Sequence, residues 1–151
     1  MVTAIGIVAT LPTATNNRLG DNKWSVGPDF LYGKVTDEYV IGIHPAHRWS
    51  IAGSGDKDIS LSSAQLFYLH LFGEGWLFGT NPILTYDWED SQWQIPLNVI
   101  MSKTMKFDGR PWKIGVEVNY YVEKNDKFGP KWMFGINITP VIENPLSKYF
   151  K

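Results

Sequence analysis

Read from its start, the chain alternates. At Trp112, Ile114, Val116, Val118, Tyr120 and Val122 the side chains are apolar, and between them stand Lys113, Gly115, Glu117, Asn119, Tyr121 and Glu123. Successive side chains of an extended strand point to opposite faces, so this period of two gives one face suited to hydrocarbon and one suited to water. The pattern recurs and predicts eight strands, at about 2–12, 23–34, 38–52, 61–72, 75–87, 93–107, 112–123 and 131–142. Ile5, Ile7, Ala9 and Leu11 make the apolar face of the first, and Trp24, Val26, Pro28, Phe30 and Tyr32 that of the second. Ile41, Ile43, Trp49 and Ile51 follow in the third, and Trp132, Phe134, Ile136 and Ile138 in the eighth. The fourth strand is the least regular, because Leu66, Phe67, Tyr68 and Leu69 are consecutive. Its expected apolar face is Phe67, Leu69 and Leu71.

The connections alternate as well. Those at 13–22, 53–60, 88–92 and 125–130 are longer or more polar. Those at 35–37, 72–75 and 108–109 are short, and Asp108-Gly109 is a strong hairpin signal. Short turns at one end and longer loops at the other are the pattern of a transmembrane barrel, and strands of 11 to 15 residues are long enough to cross a bilayer at a tilt. The expected fold is therefore all-β: an antiparallel up-and-down transmembrane β-barrel over residues 1–142, followed by a tail at 143–151. Pro28, Pro45, Pro82, Pro96 and Pro140 count against it, since proline removes a ladder donor and needs a bulge or an edge.

Composition sharpens this. Charged residues are 19% of the chain, below the roughly 25% of ordinary soluble domains. Seven tryptophans sit near strand ends, where indole rings mark a lipid–water interface. Trp24, Trp49, Trp76, Trp88, Trp93, Trp112 and Trp132 are the expected membrane-interface residues. The net charge of −1 gives no reason to expect a nucleic-acid partner. There is no cysteine, which removes disulfides, thiolate metal sites and cysteine nucleophiles. No apolar run is long enough for a transmembrane helix, and the N-terminal MVTAIGIVATLPTAT lacks a basic n-region and reads as a strand. The expectation is accordingly a mature form, an engineered form or a fragment of an exported protein.

Several phrases in order, Lys23-Trp24-Ser25-Val26-Gly27-Pro28, Trp49-Ser50-Ile51-Ala52-Gly53, Thr85-Tyr86-Asp87-Trp88-Glu89, Trp93-Gln94-Ile95-Pro96-Leu97, Asn119-Tyr120-Tyr121 and Gly129-Pro130-Lys131-Trp132, carry a resemblance. Together they resemble a bacterial outer-membrane β-barrel family whose members are described as transporters or linked to the meta-pathway of phenol degradation. The likeness runs from Gly6 over nearly the whole chain. It implies an outer-membrane location and passive, porin-like transport of small solutes, apolar or aromatic ones among them. Family members are longer, with a signal peptide and further strands before the position of Gly6. They also end in a C-terminal Phe, where this chain has Phe150 as its penultimate residue.

The candidate lumen residues are Asp29, His44, Arg48, Asn81, Asn98, Lys113, Glu117 and Asn119. Charges held away from bulk water need partners, so these are expected to pair across strands, either as a plug or as the lining of a selective pore. Eight strands enclose a space that side chains just fill, which favours the plug; more strands would favour the pore. His44 and His47 are three apart and fall on opposite strand faces, so they do not chelate one metal. Asp56 and Asp58 lie in a Gly-rich loop without the further oxygens calcium needs. Ser50, His44 and Arg48 share a predicted face but lack an acid for hydrolase chemistry. Asn137-Ile138-Thr139 matches a glycosylation sequon but falls mid-strand. The reading is thus a non-enzyme without cofactor, catalytic residues or metal. Its partners are the lipid bilayer and small hydrophobic solutes, and its oligomeric state is left open. Two rivals stand beside it: a non-conducting barrel that presents its loops, and a soluble lipocalin-like barrel with apolar residues turned inward.

Overall fold

Residues 1–14, 20, 22–125 and 129–141 are described by the computed structural model. The strands are β1 (Val2–Thr10), β2 (Lys23–Val35), β3 (Tyr39–Gly53), β4 (Ser60–Phe72), β5 (Trp76–Thr80), β6 (Ile83–Asp87), β7 (Gln92–Phe107), β8 (Arg110–Glu123) and β9 (Trp132–Pro140), with a single 3-10 turn at Gly73–Gly75. All pairings are antiparallel and, apart from β5 and β6, join strands consecutive in sequence, so the described residues form one up-and-down sheet. The expected tail at 143–151 lies outside the described residues, as does most of the first loop.

The predicted fifth strand is two strands that share one position between β4 and β7. Pro82 has no N–H to give, and the Asn81 N–H donates to Asn98 Oδ1 at 2.8 Å instead of to the ladder. The register survives the break, with Tyr68 opposite Thr80 and Gln65 opposite Ile83. Eight positions therefore remain, and β1 and β9 form the two edges of the sheet.

The other prolines are placed where a missing donor matters least. Pro96 follows a register shift between β7 and β8. Pro140 ends the edge strand β9. Near Pro28 and Pro45 the β2–β3 ladder keeps Val26–Trp49, Asp29–Ala46 and Tyr32–Ile43 and skips the positions between. The hairpin at Asp108-Gly109 has φ of 49° and 74°, both positive, as the turn that matches strand twist requires.

Cross-strand partners share a face, and the ladders define one apolar and one polar face. The apolar face carries Ile5, Phe30, Ile43, Phe78, Val99, Val116 and Ile136. The fourth strand corrects the expectation. Leu66 and Tyr68 lie on the apolar face, opposite Ile43 and Ile41, whereas Phe67, Leu69 and Leu71 lie on the polar face. The reason is Gly42: directly opposite Phe67, it leaves room for the ring, and a Cβ there would stand 2.5 Å from Phe67 Cζ. Four consecutive apolar residues cannot fix their own register; the neighbouring strand does.

Among the described residues no large hydrophobic side chain is buried, and the polar side chains that are buried are those of Ser25, Asn98, Ser102 and Asn119, beside glycines and Pro96. Ile5 is 83% exposed, Ile136 76% and Phe134 73%. A water-soluble fold buries such residues first.

Candidate functional site on the polar face

The eight candidate residues derive from four strands, β2, β3, β7 and β8, and one strand break. Asp29 on β2 and His44 on β3 meet, with Asp29 Oδ2 and His44 Nε2 3.0 Å apart. Gly6 on β1 stands opposite Asp29 and makes space for the carboxylate, since a Cβ there would lie 2.6 Å from Asp29 Oδ1. On the same strand as His44, Arg48 Nη1 donates to Thr10 Oγ1 at 3.3 Å, reaching from β3 to β1. Sequence reasoning missed Thr10; its signal is that it ends the polar side of β1 level with Ser25 and Ser50.

A second group lies on β7 and β8. Asn98 and Asn119 are direct cross-strand partners, and Asn98 Nδ2 donates to Asn119 Oδ1 at 2.8 Å. With the Asn81 N–H on Asn98 Oδ1, one amide ties together the strand break, β7 and β8. Lys113 and Glu117 share this face, but among the described residues neither has an ion-pair partner. Glu117 instead lies across Gly135 on the edge strand, whose added Cβ would be 2.6 Å from Glu117 Cγ. The expected cross-strand pairing of inward charges is thus met by Asp29–His44 and not by Glu117 or Lys113.

The hydrolase grouping comes apart. His44 is engaged by Asp29, and Ser50 Oγ donates to Asp58 Oδ1 at 3.2 Å and accepts the Ile59 N–H. His47 does face away from His44, on the apolar side. Asp58 is drawn to Lys23, 3.0 Å away, and not towards Asp56. Lys57 bridges Asp87 at 2.9 Å and Asp90 at 2.8 Å, pinning the 54–59 loop to the turn after β6. Hydrogen bonds from Lys23 and then Ser50, together with the Lys23 charge, hold the Asp58 carboxyl below the usual aspartate range. Burial alone would lower the Lys57 ammonium, but the hydrogen bonds to Asp90 and Asp87 outweigh it and raise it.

Six of the seven tryptophans lie on strands with their side chains on the apolar face, and Trp88 lies in the turn after β6. Trp24, Trp49, Trp88, Trp93 and Trp132 mark the end where the chain turns after β1, β3, β6 and β8 (the loop end). Trp76 and Trp112 mark the turn end. Three lysines lean on aromatic rings: Lys103 over Trp76 at 4.8 Å, Lys131 over Tyr120 at 5.5 Å and Lys34 over Tyr39 at 5.6 Å. Such contacts let a long side chain cover apolar surface with its charge at the rim.

No family model, curated protein or solved structure matches the chain.

Proposed function

We propose that this chain forms a membrane-spanning β-barrel of a bacterial outer membrane and carries small solutes passively along its polar face. One observation carries the reading. The side chains that a soluble protein buries are exposed on a single continuous sheet face, with tryptophans at its two ends. Hydrocarbon is the solvent that makes such a face favourable. The family resemblance of the ordered Trp-containing phrases supports the same location. A soluble lipocalin-like barrel would need apolar residues packed inside, and the absence of any buried hydrophobic residue among those described speaks against it.

Eight strand positions favour a plug on size alone, whereas the side chains of the polar face favour a lining. Among the described residues, Glu117 and Lys113 are not spent on each other or on other charges. Val40, Phe67, Leu69, Leu71, Leu77 and Ile100 add an apolar sector towards its turn end. A path with both charged and apolar stretches suits small apolar or aromatic solutes. A non-conducting barrel that presents its loops is the second reading, favoured by the ion pairs that pin loop 54–59.

The test is single-channel conductance on protein refolded into lipid and verified by circular dichroism and a heat-dependent gel shift. Discrete steps support the transport reading. A folded, silent barrel would overturn it in favour of the loop-presenting one.

A further inference from the structure

The apolar face is not smooth. A hollow of about 670 Å³ crosses it from β1 to β7. Its floor consists of small or compact side chains, Pro28, Pro45, Ser62 and Ala64, and its walls of Phe30, Leu84, Tyr86 and Trp93. The floor follows from the ladder register: Pro45 faces Ala64, Ala64 faces Leu84, His47 faces Ser62, and Ser62 faces Tyr86.

Resting on the membrane reading above, we propose that this hollow holds one acyl chain of a bilayer phospholipid as a bound, non-exchanging ligand. The depth it spans is that of one leaflet. At one end stands Trp93, the second residue of β7, in the aromatic row of the loop end; at the other are Ile5 and Pro28, in mid-strand. The hollow crosses five strand intervals, about 24 Å at roughly 4.8 Å each. Strands tilted by about 40° set that path some 50° from the membrane normal, so it descends about 15 Å, half of a 30 Å hydrocarbon core.

Three of the polar atoms near the floor, on His47, Ser62 and Trp88, satisfy one another as hydrocarbon requires. His47 Nδ1 and Ser62 Oγ are 2.8 Å apart, and Trp88 Nε1 donates to the same Ser62 oxygen at 2.9 Å. The His47 ring also packs on Trp49, with centroids 4.2 Å apart. These contacts hold Trp88 beside Ser62 at the interfacial end, where the lipid's ester groups would lie. The serine–histidine pair has no carboxylate on its far side, since His47 Nε2 is buried without a partner, so the cluster supplies a floor and not a nucleophile.

The experiment is lipid retention. Protein is reconstituted in vesicles of phosphatidylethanolamine with a minor fraction of phosphatidylglycerol, extracted into detergent, and examined by native mass spectrometry. Vesicle flotation and the heat-dependent gel shift are run on the same samples. The wild type retains a single phospholipid. Ala64→Trp, which fills the floor, loses it, and Leu84→Trp repeats the test if that variant does not fold. Ile136→Trp, elsewhere on the apolar face, keeps the lipid. Equal retention by wild type and Ala64→Trp, or none by the wild type, overturns the proposal while flotation leaves the membrane reading intact. Cross-linking of two copies through Ala64→Cys overturns it too, by assigning the hollow to a second chain. Failure to float is failure of the membrane reading itself.

Discussion

Val116→Arg separates the membrane reading from any soluble one. Val116 is the seventh of the fourteen residues of β8, 47% exposed on the apolar face, with Met101 and Ile136 as its cross-strand partners. Trp112 and Tyr120 lie four residues to either side on the same face. Eight residues at about 3.4 Å each, tilted by about 40°, span roughly 21 Å along the normal, close to the 25 Å apolar band of such barrels. Val116 therefore sits about 10 Å from either interface, and an arginine there is held near the midplane at a cost of about 2–4 kcal/mol. Unfolding by urea in lipid vesicles, followed by tryptophan emission and gel mobility, should show the midpoint falling by about 1–2 M. Val122→Arg, one residue from the strand's end, is the control and should cost about 0–1 kcal/mol. On a soluble protein both changes are exposed surface substitutions within about 0.5 kcal/mol of neutral. Equal midpoints for the two variants would refute the reasoning.

Three further outcomes are expected. Gly42→Ala should destabilise by about 1–3 kcal/mol in the same assay, and Phe67→Leu should not rescue it, because the new Cβ also meets the Tyr32 carbonyl oxygen at 2.6 Å; a neutral Gly42→Ala would remove the reason for Phe67 lying on the polar face. Glu117→Gln should leave stability within about 0.5 kcal/mol, since no ion pair among the described residues is lost, while lowering any cation preference of the conductance; a large loss of stability would reveal a partner. For Asp58 the folded carboxyl is lowered, so the Lys23 contact stabilises loop 54–59 above the ordinary aspartate value of about 3.9 and is lost as pH falls through the lowered one. A spin label at Gly55→Cys should gain mobility over that acid range, and Lys23→Met should abolish the transition; a pH-independent label would contradict it.

The alternation by itself located the strands, apart from the break at Asn81-Pro82, and, for seven of the eight predicted strands, which side chains share a face. A strict period of two has only one such solution, and the Asp-Gly turn fixes the last long hairpin. It also separated His44 from His47 and placed Asp29, His44, Asn98, Asn119, Lys113 and Glu117 on one side. What it lacked was register between strands. The run Leu66 to Leu69 reads equally well either way, and only Gly42 on the neighbouring strand gives the Phe67 ring a place. Pairing was likewise settled across the sheet. Asp29 finds His44, Arg48 finds Thr10 and Asn98 finds Asn119, while Glu117 lies between Ile100 and Gly135, because each partner lies on a different strand whose offset no local pattern encodes. The hollow on the apolar face has the same origin: Pro45, Ser62 and Ala64 are unremarkable in sequence and become a floor only when the ladders set them side by side.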